Sequence, residues 1–109
     1  MTQAINNVQH CTTMDDVRRH IDALDDVLVP LLVQRSGYMT QAARIKQDAS
    51  QVRDEKRIQA IVDRVRARTR IEGGEPDVME AIYRSMMEAY IAHEHREFAR
   101  LRQTATQEG

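Results

Sequence analysis

The sequence predicts an all-α fold of three helices, of which the first is long, and three observations support this. Apolar residues recur at three- and four-residue spacing in three separate segments. No segment shows the sustained two-residue alternation and β-branched enrichment of a strand. Residues 73–76, Gly-Gly-Glu-Pro, form the clearest turn. We therefore expect one helical domain over residues 13–103, between a flexible N-terminal segment at 1–12 and a flexible C-terminal tail at 104–109.

The first helix is expected to run from Thr13 to about Lys46. Thr13 precedes Asp16 by three residues, which resembles a capping box. Pro30 lies inside the helical pattern and should cost about 3 kcal/mol, because it lacks an N–H and its ring clashes with the preceding turn. We expect a kink at Pro30, with a break as the alternative. The apolar seam comprises Val17, Ile21, Leu24, Leu28, Leu31, Tyr38, Ala42 and Ile45, and Arg35 interrupts it.

The second and third helices are shorter than the first. The second is expected to begin near residues 52–54 and to end before Gly73, with Ile58, Ile61, Val62 and Val65 buried. The third should begin at about Pro76, a favourable first-turn residue. Its buried stripe comprises Ile82, Tyr83, Met86, Met87, Tyr90, Ile91, Phe98 and Leu101. Because the first helix is too long for the second to cover, we expect an intertwined homodimer in which the first helices pack side by side.

Composition excludes several classes of protein. Sixteen Lys and Arg against seventeen Asp and Glu leave a formal charge of −1, without the basic excess of a nucleic-acid binder. The longest apolar run, residues 27–33, is far below the ~20 residues that span a bilayer. The first ten residues lack the features of a secretory signal, which predicts a cytoplasmic protein. One cysteine and the absence of ligand spacing among the histidines predict neither a metal nor a cofactor.

Spaced cations on the first helix suggest an anion site. Arg35 and Lys46 are eleven residues apart, so both point to the same side of a helix about 16 Å apart. A planar guanidinium and a compact ammonium at that spacing suit a small dicarboxylate. Arg18 lies about 25 Å from Arg35 and is turned by about 100°, so it can join the same site only from an antiparallel partner chain. The simpler interpretation of Arg18 is a solvated surface residue.

The Asp54–Arg57 pair and Glu94 each allow two interpretations. Asp54 and Arg57 are helix neighbours, which fits an ordinary ion pair, although Arg57 next to Ile58 could also turn inward to an anion. Glu94 interrupts the apolar stripe of the third helix. It is either a core carboxylate paired with a cation, or a protonated acid that donates a hydrogen bond to a substrate oxygen.

The spacing of Arg18, Arg35, Lys46, Arg57 and Glu94 resembles that of the all-helical chorismate mutase family. Residues 17–25 and 52–57 resemble the family's first-helix opening and second-helix start. The resemblance covers about residues 13–102. It implies an isomerase of the shikimate pathway and aromatic amino-acid biosynthesis, which converts chorismate to prephenate without a cofactor.

The same resemblance implies roles for individual residues. Catalysis would depend on Lys46, Glu94 and Arg35, and the site would be completed by Arg18 from the partner chain. The substrate-binding residues would be Arg18, Arg35, Lys46, Asp54, Arg57, Ile58, Tyr90 and Glu94.

Two departures from the family pattern point in different directions. Ile58 stands where a typical mutase carries Glu, and isochorismate pyruvate lyases, which give salicylate and pyruvate, have an apolar residue there. Those lyases carry Gln where this chain has Glu94, whereas fungal mutases carry Glu. We favour the mutase and keep the lyase as the alternative. A non-catalytic helical dimerisation or regulatory module would explain the periodicity, but not the cations on the seam.

Overall fold

The computed structural model is all-helical and describes residues 7–108, with side chains described as far as residue 103. It contains three helices: α1 at Met14–Ile45, α2 at Glu55–Ile71 and α3 at Pro76–Glu108. A short 3-10 turn at Ala49–Gln51 lies between α1 and α2, and no strand occurs in residues 7–108. The predicted all-α fold with three helices is therefore confirmed. Of the predicted N-terminal segment, residues 1–6 lie outside the described residues.

Helix α1 begins and ends close to the predicted residues. The Thr13 side chain accepts a hydrogen bond from the Asp16 backbone N–H at 3.1 Å, which caps the helix. The helix continues through Pro30 to Ile45, so the alternative of a break there is wrong. The long helix therefore tolerates the one backbone hydrogen bond that is missing at proline.

The other helix boundaries depend on local caps. Asp54, the last residue of the predicted start at 52–54, precedes the first turn of α2, and its carboxylate accepts a hydrogen bond from the Arg57 N–H at 3.0 Å. At the opposite end, Gly73 adopts a φ of +76°, a left-handed conformation that favours glycine. Helix α3 then starts at Pro76, as predicted.

The core lies between α2 and α3. Ile58, Val62 and Met87 form the buried cluster, and Ile61, Tyr83 and Ile91 pack against it. Ile82 was predicted to be buried, but half of its surface is exposed. The face of α3 that meets α2 passes through Tyr83 and Met87, and Ile82 lies to one side of it.

The seam of α1 remains largely exposed within one chain. Ile21, Leu24, Leu28 and Leu31, spaced at three and four residues, each expose about half of their surface or more. The chain measures 61 × 29 × 24 Å and has a radius of gyration of 17.9 Å. A compact domain of about 100 residues has a radius of gyration near 13 Å. One chain therefore leaves an apolar helix face uncovered. Within the described residues, no helix is long and apolar enough to cross a membrane.

Candidate active site

A cavity of about 280 Å³ opens where α1, α2, α3 and the link between α1 and α2 meet. Its size is at the lower end of the ~300–1,000 Å³ that is usual for small-molecule sites. Three cations and two carboxylates line it: Arg35, Lys46, Arg57, Asp54 and Glu94. Its apolar wall comprises Met39, Ala42, Val52, Ile58, Ile61, Met87 and Ile91, and Tyr90 completes the lining. The cavity therefore combines a positive balance of charge with an apolar surface, as a ring-bearing anion requires.

Lys46 and Glu94 form the most buried polar contact of this cavity. The Lys46 Nζ donates to Glu94 Oε2 at 2.7 Å, and the glutamate is only 3% exposed. A second, longer contact joins Nζ to the Val52 carbonyl at 3.5 Å. The Lys46 side chain keeps 27% of its surface exposed. Of the two interpretations of Glu94, the structure contains the paired core carboxylate, and the ammonium that pairs with it also borders the cavity.

Arg35 is held against an aromatic ring. Its guanidinium carbon lies 4.8 Å from the centre of the Tyr90 ring, within the range of a cation–π contact. The Tyr90 hydroxyl donates to the Leu32 carbonyl at 2.6 Å, which fixes the ring against α1. The ring therefore supports one face of the guanidinium and leaves the N–H groups on its edge available to donate to a planar carboxylate.

Asp54 and Arg57 lie at the N-terminus of α2. The contact between them is the helix cap described above, in which the aspartate accepts from the backbone of Arg57. Both residues line the cavity and both are exposed. A helix N-terminus carries a partial positive charge, so this edge of the cavity also favours an anion.

The link between α1 and α2 is joined to α3 by an ion pair beside the cavity. Arg53 makes two hydrogen bonds to the Glu88 carboxylate, at 2.7 and 3.0 Å, and one to Glu55 at 2.7 Å. The hydrogen bonds from Arg53 lower the pKa of the Glu88 carboxyl. This exposed pair adds orientation more than stability, because surface ion pairs contribute little. It holds the segment that carries Val52 and Asp54 close to α3.

Arg18 lies outside the cavity of its own chain. Its side chain is 67% exposed and lies 3.8 Å from Asp15 on the same helix. The unbroken α1 places it about 25 Å before Arg35. The predicted residues Arg35, Lys46, Asp54, Arg57, Ile58, Tyr90 and Glu94 therefore come together, and Arg18 does not join them within one chain.

Part of the cavity lining is not among the residues predicted for the site. Met39 and Ala42 follow Arg35 by four and seven residues, so helical spacing could have placed them on the same face. Ile61, Met87 and Ile91 were assigned to the core, and they serve both the core and the cavity wall. Val52 lies in the link, where no periodic pattern exists.

An all-helical fold with a cationic, partly apolar cavity has a site suited to a small anion. A family model for chorismate mutase type II matches residues 17–95, which is most of the chain. The chain belongs to the chorismate mutase type II family. Membership supports a chorismate-mutase-type function and implies an isomerase that acts on a chorismate-like substrate. A comparison with curated proteins found no match.

Proposed function

We propose that the chain is a chorismate mutase that rearranges chorismate to prephenate. The observation that carries the proposal is the convergence of Arg35, Lys46 and Arg57, from two helices and a helix end, on one cavity with an apolar wall. Chorismate is a small cyclic dianion. Two carboxylates need two separate cationic positions, and the ring between them needs an apolar surface.

The rearrangement requires no group to be transferred to the protein. One carbon–oxygen bond of the ether breaks while one carbon–carbon bond forms within the same molecule, so the atoms balance without a co-reactant. The protein has to hold the compact reactive conformer and to place donors where the ether oxygen gains electron density. We assign the first task to Arg35 and Arg57, which would bind the carboxylates. Lys46 would donate to the ether oxygen.

Glu94 would act beside Lys46 at the ether oxygen. In the free protein its carboxylate is paired with the ammonium at 2.7 Å. With substrate bound, the dianion would compete for that ammonium, and Glu94 would lie beside the ether oxygen as a hydrogen-bonding group. Other charges facing this region are Arg35, Arg57 and Asp54. Glu94→Gln, which keeps the shape of the side chain and can always donate, should therefore retain turnover. Loss of turnover in a folded Glu94→Gln protein would exclude this role.

The proposed enzyme is a homodimer in which Arg18 of one chain completes the cavity of the other. The exposed seam at Ile21, Leu24, Leu28 and Leu31 supports this proposal, since a second α1 would cover it. Antiparallel packing of two such helices would bring an Arg18 toward the Arg35 of the partner. A fourth cation at the cavity suits a substrate with two carboxylates.

One observation favours a second candidate, an isochorismate pyruvate lyase that gives salicylate and pyruvate. Ile58 is buried in the core cluster and lines the cavity, where an acidic side chain would be expected in a typical mutase. An apolar wall at that position offers no partner to a ring hydroxyl. Glu94 favours the mutase, because the lyases carry Gln at that position.

The deciding experiment offers chorismate and isochorismate separately to the purified protein and measures prephenate, salicylate and pyruvate. Prephenate from chorismate is expected. Salicylate and pyruvate from isochorismate, with no prephenate, would replace the mutase by the lyase. Lys46→Met should remove turnover, and Lys56→Met is its matched control, because these are the only two lysines and Lys56 is exposed. No product from either substrate would refute both candidates.

A further inference from the structure

The C-terminal end of α1 is held by a side chain from α3. Lys46 is the capping residue, and its backbone N–H donates to the Ala42 carbonyl at 2.9 Å. The last carbonyls of a helix lack partners within the helix. The residue that would normally bond to the Ala43 carbonyl is Gln47, whose N–H instead donates to the Gln51 side chain at 3.0 Å. The end of α1 therefore needs another donor.

Arg102 supplies that donor. Its guanidinium donates through Nη1 to the Ala43 carbonyl at 2.6 Å and through Nη2 to the Lys46 carbonyl. The guanidinium also lies over the Phe98 ring, 3.6 Å from its centre, which fixes its plane. A cation at this position is favourable, since the C-terminal end of a helix carries a partial negative charge. Arg102 thus binds the backbone of Lys46 from a residue 56 positions away.

We propose that Arg102 is a positioning residue for Lys46. Arg102 is not among the residues that line the cavity, and its hydrogen bond to Lys46 is to the backbone carbonyl. It fixes the backbone from which the Lys46 side chain reaches Glu94 and the cavity. Without it, α1 could fray by part of a turn and carry the ammonium away from its position. The effect on turnover rests on the proposed function, whereas the effect on Lys46 itself does not.

The test compares Arg102→Met with Arg102→Lys, and uses Arg96→Met on the exposed face of the same helix as the control. Methionine keeps an apolar stem over Phe98 but removes every donor. Lysine keeps the charge and can bond one carbonyl. The first readout is the NMR spectrum of isotopically labelled lysine side chains. The chain has only Lys46 and Lys56, so the second lysine is an internal reference in every variant.

Arg102→Met should shift the Lys46 signals and leave those of Lys56 in place. With chorismate or isochorismate, whichever the parent converts, kcat should fall about 10- to 100-fold with a smaller change in KM, since misplacement of a reacting group by about 1 Å costs that much. Arg102→Lys should recover part of both effects, and Arg96→Met should show neither. If Arg102→Met fails to fold, the same readouts in Arg102→Lys decide.

Unmoved Lys46 signals in a folded Arg102 variant would overturn the inference, whatever happens to kcat. Parental kcat with displaced Lys46 signals would overturn the link between position and turnover. A parent that converts neither substrate would refute the proposed function alone, because the lysine spectrum still decides whether Arg102 positions Lys46.

Discussion

Replacing Lys46 by Met should cost stability as well as turnover, because the ammonium pairs with a carboxylate that is almost fully buried. Glu94 is 3% exposed and accepts from Lys46 at 2.7 Å. Loss of one partner costs about 3–5 kcal/mol for a fully buried pair and about 0–1 kcal/mol for a surface pair. The Lys46 side chain is 27% exposed, so water can reach the vacated position. We expect a loss of about 2 kcal/mol in the free energy of unfolding.

A second background separates this structural cost from the chemistry. In a Glu94→Gln background, the remaining amide carries no charge, so Lys46→Met should cost less than about 1 kcal/mol. Turnover should still fall, because the amide cannot replace the ammonium at the ether oxygen. Removal of one such donor typically lowers kcat about 10²- to 10³-fold.

The assay is urea unfolding of the four proteins at one protein concentration, followed by kcat with the converted substrate. A fixed concentration is needed because the stability of the proposed dimer would depend on it. Equal stability losses in both backgrounds would show that the two side chains are not coupled. Near-parental kcat in both Lys46→Met proteins would refute the placement of the ammonium at the reacting atoms.

Three further changes test separate contacts. Tyr90→Phe should lose about 1 kcal/mol in the free energy of unfolding, because the bond to the Leu32 carbonyl is lost; a parental unfolding curve would contradict this. Asp54→Ala should lose about 1 kcal/mol and Asp54→Asn little, because asparagine also caps a helix; equal losses would exclude the cap. Hydrogen bonds, first from Arg100, lower the pKa of Glu97 from 4.5 to about 2. The unfolded chain binds a proton at Glu97 at a higher pH than the folded chain does, so the ionised carboxylate stabilises the fold above pH 4.5. This stabilisation is lost as pH falls from 4.5 to about 2. Glu97→Gln should flatten the decline in the free energy of unfolding, measured with urea.

The sequence was sufficient to predict the residues whose position follows from helical periodicity. Arg35 and Lys46 repeat at eleven residues on one helix, so their shared side follows from the turn per residue alone. The three helices and their turns follow from caps and breakers, as at Thr13 and Gly73. Glu94 was expected in the same site only from the family resemblance, since helical periodicity left it as either a paired core carboxylate or a donor to substrate.

Other features depend on contacts that no local pattern encodes. The hydrogen bonds from Arg102 to the end of α1 join residues more than fifty positions apart. Arg102 also lies beyond the part of α3 that lines the cavity. Burial of Ile82 was predicted from its spacing, but the rotation of α3 against α2 leaves it half exposed. Whether Lys46 pairs with Glu94 or faces solvent likewise depends on the distance between two helices. Periodicity gives the face of a helix, and packing decides which neighbour that face meets.

The measurement that most directly tests a site shared between two chains mixes two inactive variants. Arg18→Met and Lys46→Met each remove one cation of the proposed shared site, and random exchange of chains would make about half of the dimers hybrid. If Arg18 acts on the cavity of the other chain, each hybrid has one intact site, and activity should recover to about one quarter of the parental value. If both cations belong to the same chain, every site in the mixture lacks one of them. No recovery after confirmed chain exchange would therefore contradict a site completed by the partner.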